Sequence, residues 1–365
     1  MDNFDILLEK TEKKIIREAE RLGSAIPYIP VNGKYEDMAE KDIAWWTNGF
    51  WPGMLWLVYS DNHDEGVRRT AECVENELDR ALEDFRGLHH DCGFMWRHSA
   101  AADYDLTENE KSLSRAMHAA TVLAGRFEPE SGAIRSWNEG YDGFVIIDSL
   151  MNLPLLYWMS RKTGRPGFRE IASIHASTLL RTHLRQDGHV IHIAVLDEKG
   201  NVTATPPGQG AGEASAWSRG QSWGLYGFAL SYRYTGEKKF LDAALRIADY
   251  YIDAVSRTGY IPRTDFMGSD NAVDTTSAVC AVCGLMETAE HVAEDKAESL
   301  RDNAVRILSA TTGKWADFDP ESDGILSGGT TSYNAQKKEE KIIYGDYFLL
   351  EALLRLTGRY CYRMW

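Results

Sequence analysis

Basic residues are the first shortage in this 365-residue chain: 40 Lys and Arg stand against 55 Asp and Glu, a formal net charge of −15 at pH 7. Non-specific binding to nucleic acid or to an anionic membrane surface feeds on basic patches, so this charge argues against both partners. Cysteine is scarce as well. Cys73, Cys92, Cys280, Cys283 and Cys361 are odd in number, in a chain far too large to need disulfide staples. A reducing compartment, and hence a cytoplasmic protein, fits best. The first ten residues carry no basic flank, no long apolar segment and no small-residue cleavage site, so they do not read as a secretory signal. Every apolar run is broken well before the ~18 residues of a membrane span.

The common chemical signatures are also missing. There is no Walker loop, no HExxH and no Gly-x-Ser-x-Gly elbow. Cys280-x-x-Cys283 lies inside an apolar run with no second Cys/His pair at ligand spacing, which makes it a poor metal site. His189-x-x-His192, read as a strand, puts its two imidazoles on opposite faces and suits shared ligation poorly.

What is present is ample apolar material, 44% hydrophobic against 26% charged, enough for a sizeable core. Amphipathic helix spacing recurs at 4–22, 65–86, 106–126 (with Thr107 and Glu110 as a capping box), 168–179, 240–252 and 300–308. Between these lie stretches that are apolar nearly all round: 51–59, 94–102, 144–159, 217–234, 275–289 and 342–356. Helices of that kind are buried on all sides. Six outer and six inner helices at a period of roughly 61 residues predict an all-α (α/α)6 barrel occupying 1–365 as a single domain. Gly188–Leu196 alternates and predicts one arm of a small β-hairpin, turned by Asp197–Gly200, as a decoration.

If the inner helices all run the same way, their starts gather at one mouth, and those starts are unexpectedly polar. For any one carboxylate the simpler reading is a helix cap or first-turn residue, and Asp274 and Asp346 are read so. Asp148 is harder to dismiss, because it interrupts Phe144-Val-Ile-Ile and Leu150-Met-Asn-Leu-Pro. A carboxyl in apolar surroundings has a raised pKa and can donate a proton near neutral pH. Trp51 and Trp56 read as core, whereas Trp46 stands in a Gly-bearing loop where an aromatic plate for a sugar is a fair alternative. Trp137 and Trp223 are open to either reading. Asp, His, Arg, Gln and Trp make up the kit of a carbohydrate site.

Five blocks then carry a resemblance: Trp46-Thr-Asn-Gly-Phe-Trp-Pro-Gly-Met-Leu-Trp, His90-Asp-Cys-Gly-Phe, Asp148-Ser-Leu-Met-Asn-Leu-Pro-Leu-Leu, Trp217-Ser-Arg-Gly-Gln-Ser-Trp-Gly-Leu-Tyr-Gly-Phe, and Tyr344-Gly-Asp-Tyr-Phe-Leu-Leu-Glu-Ala-Leu-Leu-Arg-Leu. In this order they resemble the unsaturated glucuronyl hydrolases of glycoside hydrolase family 88. The resemblance implies an (α/α)6-barrel enzyme that needs no metal and no cofactor. It would remove a 4,5-unsaturated uronic acid from the non-reducing end of lyase-generated oligosaccharides, by hydrating the C4=C5 enol ether. The family's acid/base aspartate falls on Asp148 and its second essential aspartate on Asp91, which would hold substrate and keep Asp148 protonated. Substrate-binding positions fall on His192, Gln209, Arg219 and Trp223, with Trp46 and Trp137 as stacking walls.

The resemblance has departures. Residues 210–216 lack an acidic-serine run, and 328–338 do not reproduce the Ser/Lys pattern of relatives that contact sulfate, so no preference for sulfated substrates is implied. Three other readings compete with it. An unsaturated rhamnogalacturonyl hydrolase would act on pectin fragments, a sugar epimerase would use histidine chemistry, and a non-catalytic glycan-binding protein would survive Asp148→Asn.

Overall fold

The computed structural model describes residues 2–365. Each amphipathic outer helix leads to a buried inner one: α1 (Asp2–Leu22) to α2 (Phe50–Asn62), α3 (Glu65–Glu83) to α4 (Cys92–His98) and α5 (Ala100–Thr107), α6 (Glu110–Ala124) to α7 (Leu153–Thr163), α8 (Pro166–His183) to α9 (Ser218–Thr235), α10 (Lys238–Ser256) to α11 (Thr275–Ala289), and α12 (Glu294–Trp315) to α13 (Ile343–Thr357). The inner helices pack in a closed ring, α2 on α4, α4 on α7, α7 on α9, α9 on α11, α11 on α13 and α13 back on α2. This is the (α/α)6 barrel that the alternation of patterns predicts. Among the described residues, no helix is long and apolar enough to cross a membrane.

Three local expectations are corrected. The second inner position is two helices rather than one, broken at Ser99, whose backbone leaves the helical region (φ −107°, ψ −94°). Thr107 does not cap α6: it ends α5, where its hydroxyl donates to Asp103, and Asn109 makes the cap by accepting from the Lys111 amide. Phe144–Met159 is not one helix. It is a strand β3 (Phe144–Ile146), a 3-10 turn (Ile147–Asn152) and then α7, with Pro154 in the first turn where it costs no hydrogen bond.

Strands are few. β1 (Phe127–Glu128) and β2 (Ala133–Ile134) form a hairpin unforeseen in the sequence, while β4 (Ile193–Leu196) and β5 (Val202–Ala204) form the expected one around Asp197–Gly200. The expected arm was longer, since Gly188–His192 lies outside the strand. β3 joins β4 antiparallel, with Ile146 opposite Ile193, so the hairpin is part of a three-stranded sheet and not a decoration.

The far end of the barrel, at the C-terminal ends of the inner helices, is closed by a buried charge network. Glu287 accepts from Arg233 and Arg355 at 3.0 Å each. Glu351 accepts from Arg355 Nε at 2.9 Å, from the Trp365 indole at 2.8 Å and from the Tyr226 hydroxyl. Burial opposes the charge on Glu287, yet Arg233, His291 and Arg355 hold its pKa well below the usual carboxylate range.

Candidate active site

The β3–β4 ladder brings Asp148 and His192 together at the open mouth. Beyond the last strand pair the Ile147 amide still donates to the His192 carbonyl at 3.0 Å, which brings Asp148, one residue after Ile147, beside His192. Nε2 of His192 stands 3.4 Å from Oδ1 of Asp148. The other ring nitrogen, Nδ1, accepts from the Gln209 amide at 2.9 Å, which leaves the proton of a neutral imidazole on Nε2, facing the carboxylate. Gly208 permits that contact, because a Cβ there would lie 2.1 Å from Nδ1 of His192 and the backbone is left-handed (φ +56°). Neither Oδ1 of Asp148 nor Nε2 of His192 has a hydrogen-bond partner.

The expected apolar setting of Asp148 is corrected on this geometry. Its chain neighbours Ile147 and Leu150 are fully buried, but its own side chain is 15% exposed and turns out of the core toward His192. The 3-10 turn makes this possible by presenting the side chain at the mouth.

Asp91 stands at the start of α4 but makes no capping bond to that helix. Its carboxylate instead accepts from the Asn152 amide at 2.9 Å, with His89 Nδ1 at 3.2 Å and His90 Nε2 at 3.4 Å. Burial alone would raise its pKa. The two imidazoles and the Asn152 amide outweigh that and hold it at about 2, so Asp91 carries a fixed negative charge. His90 is fully buried, which pushes its pKa down to about 4 and leaves the ring neutral at pH 7. Asn152 links both carboxyl-bearing segments: its Oδ1 accepts from the Phe94 amide at 2.7 Å, and Nδ2 also reaches the Asp148 carbonyl at 3.5 Å. The approach needs Gly93, where a Cβ would sit 2.3 Å from the Asn152 backbone.

Arg219, in the first turn of α9, is 1% exposed. Its Nη1 donates to Asp274, to Thr276 and, at 2.8 Å, to the Thr330 carbonyl, while Nη2 donates to the Thr331 carbonyl. The Gln209 side chain donates to the same Thr331 carbonyl, so both residues clamp the 328–335 segment over the mouth. Asp274 caps α11 as expected, accepting from the Thr276 amide. Asp346 lies in the first turn of α13 but accepts from the Ile325 and Leu326 amides and not from its own helix.

The tryptophans divide. Trp51 and Trp56 are core, as expected. Trp46 is partly exposed and packs at 5.0 Å from Tyr344. Trp137 is also partly exposed and stands edge-on to His90 at 6.5 Å. Trp223 is 1% exposed and lies in the floor, against Phe94 and Phe348.

The Glycosyl Hydrolase Family 88 model matches residues 29–234. An unsaturated glucuronyl hydrolase from Bacillus sp. (strain GL1) is 35% identical over 356 residues, 93% of each chain. The chain belongs to glycosyl hydrolase family 88. A second relative, an unsaturated chondroitin disaccharide hydrolase of Streptococcus pyogenes serotype M1, is 31% identical over 88% of this chain and 84% of its own. Among solved structures, the Bacillus sp. GL1 unsaturated glucuronyl hydrolase superposes with a TM-score of 0.89 at 32% identity, covering 96% of both chains. A Streptococcus agalactiae unsaturated glucuronyl hydrolase mutant complexed with dGlcA-GalNAc6S gives a TM-score of 0.83 at 27% identity, over 99% of this chain and 93% of that one.

Within this family-88 chain, reading the sequence for site residues passes over two side chains that the fold brings in. Asn152 has a signal, since it lies four residues after Asp148 and shares its face of a helical turn. His90 has only its adjacency to Asp91.

Proposed function

We propose that this family-88 enzyme removes a 4,5-unsaturated uronic acid from the non-reducing end of lyase-generated oligosaccharides of glycosaminoglycan type. The observation that carries the reading is the unpartnered pair Asp148 Oδ1 and His192 Nε2, 3.4 Å apart at the open mouth of the barrel. Both groups are poised for a third partner, and a buried polar atom without one is costly. In the reaction, Asp148 delivers a proton to C4 of the enol ether. The carboxylate left behind takes a proton from a water that adds its oxygen to C5. The C5 hemiketal then opens by breaking C5–O5, leaving a ketone at C5 and a hemiacetal at C1. That hemiacetal collapses to an aldehyde as the C1–O glycosidic bond breaks, and the next sugar leaves with its hydroxyl restored.

Asp91, ionised and fixed by Asn152, holds substrate hydroxyls as an acceptor. His192 Nε2–H donates to the uronate or to the attacking water. Arg219 contributes positive potential from below, although its guanidinium is largely committed to Asp274 and the 328–335 segment. Trp46 and Trp137 supply the apolar plates against which pyranose rings stack, and Trp223 acts through the floor that supports them. Exo action on a short anion suits an acidic protein, because local complementarity in a pocket outweighs a long-range field that salt screens.

The test is the ultraviolet absorbance of the conjugated C4=C5 bond, followed over time with lyase-generated disaccharides, sulfated and unsulfated, and pectin-derived fragments alongside. Decay on the glycosaminoglycan disaccharides is the expected result. Decay on pectin fragments alone would move the enzyme to the rhamnogalacturonyl class, and a flat trace on all would overturn the reading.

A further inference from the structure

The three consecutive residues His89, His90 and Asp91 each offer one ligand atom, and these atoms lie within 4.8 Å of one another. Two of the separations, His89 Nδ1 to Asp91 Oδ2 at 3.2 Å and His90 Nε2 to Asp91 Oδ2 at 3.4 Å, fit a known geometry. A tetrahedral Zn2+ with ligands at 2.0–2.2 Å sets neighbouring ligand atoms about 3.3 Å apart. Both ring nitrogens of His90 lack a hydrogen-bond partner although the residue is 0% exposed. Nδ1 of His89 is held only by a long contact with the Asp91 amide, at 3.5 Å, which an ion would displace. Asp91 keeps Oδ1 for Asn152 and leaves Oδ2 beside the two imidazoles. His89 remains partly exposed at 22%, which gives an ion a way in.

We infer that His89, His90 and Asp91 form an inhibitory Zn2+ site at the mouth of the barrel. Two imidazoles and one carboxylate select a borderline-soft transition ion over Ca2+ or Mg2+, which need more oxygen ligands. The ion occupies the carboxylate that the proposed function gives to the substrate, so zinc and sugar exclude each other. The consequence is an enzyme that a metal ion switches off.

The site is tested on the full chain carrying Cys73→Ser and Cys361→Ser, which remove the two exposed thiols as competing ligands. After treatment with chelator, ZnCl2 is titrated by calorimetry in a non-coordinating buffer. One ion per chain with micromolar or tighter affinity is expected, with no heat from CaCl2 or MgCl2. His89→Ala weakens binding by about tenfold or more, in keeping with the sensitivity of metal sites to loss of supporting groups, while circular dichroism shows the fold retained. Zinc also slows the loss of ultraviolet absorbance, and EDTA restores it. Absence of zinc heat, or equal affinity in folded His89→Ala and His90→Gln proteins, overturns the site. Zinc bound at His89 with the rate unchanged overturns its inhibitory role. Calorimetry reads the site independently of the reaction, so an inactive enzyme that still binds zinc through His89 would refute the proposed function and leave the site standing.

Discussion

The two ends of the barrel treat buried charge in opposite ways. At the far end Glu287 and Glu351 are 0% exposed and are met by Arg233, Arg355, Tyr226 and Trp365. At the mouth, Oδ1 of Asp148, Nε2 of His192 and both nitrogens of His90 are buried with no partner at all. A completed network stabilises and does nothing further, whereas an incomplete one keeps free energy in reserve for whatever completes it. The difference separates the part of the molecule that holds the ring closed from the part to which the proposed function assigns the chemistry.

The strongest way to break this comparison is Asp148→Asn. It keeps the shape but removes the proposed proton donor, and turnover is expected to fall by about a thousandfold or more. Circular dichroism and thermal melting should stay within error of the parent. Near-normal turnover would sink the mechanism.

The reverse experiment is Glu287→Ala. Removing one partner of a buried ion pair leaves Arg233 without its carboxylate, although Arg355 keeps Glu351, and should cost about 3 kcal/mol of stability. The denaturant midpoint reports this, and the rate per folded molecule is expected to be unchanged. A stable but inactive variant would mean that the far end is coupled to the mouth.

Asn152→Ala sharpens the mouth itself. Asp91 loses its amide and the Phe94 backbone amide loses its acceptor, so kcat is expected to drop about 10- to 100-fold, in line with the loss of a positioning hydrogen bond. A change in KM alone would make Asn152 a substrate contact and not a support.

The smallest effect concerns a third cluster, where α1 meets the 323–326 segment. Burial and the charge of Asp346 push Glu18 up to about 8, and burial raises Asp346 to about 6. A carboxyl whose folded pKa exceeds its unfolded value retains a proton that the unfolded chain releases. Its contribution is therefore fully present below about pH 4.5 and is lost as pH rises toward 8. Glu18→Gln keeps the acceptor for the Gly324 amide and does not titrate. The variant should melt higher than the parent at pH 8 and match it at pH 4; equal melting at both would show that Glu18 is ionised without cost.

These regions also differ in how far they can be read from sequence. The ring was legible because helical spacing repeats along the chain and the inner stretches are apolar on every side. Asp148 stood out as a charge that interrupts an apolar stretch, whereas Asp91 was reached through the family resemblance. The segment at 144–152 was misread because a short apolar run of Phe, Val and Ile does not distinguish a buried strand from a buried helix. That error hid the β3–β4 pairing, and with it the reason His192 belongs beside Asp148. Arg219 was legible as a site residue, but its commitment to Asp274, Thr276 and the Thr330 carbonyl depends on chain segments more than 50 residues away, which no local pattern encodes. The His89–His90–Asp91 geometry was invisible for a similar reason, since three adjacent side chains converge only when the backbone turns.

The β3–β4 ladder also sets an order of events. Asp148 and His192 are joined through one strand pair, and the whole of α7 and α8 lies between them. The ends of that excursion meet only after the helical hairpin has folded back, and a register slipped by one residue would turn His192 to the opposite face. During refolding, helical circular dichroism should therefore recover before catalytic competence does. An early collapsed barrel would have its walls and floor but not yet the Asp148–His192 pair.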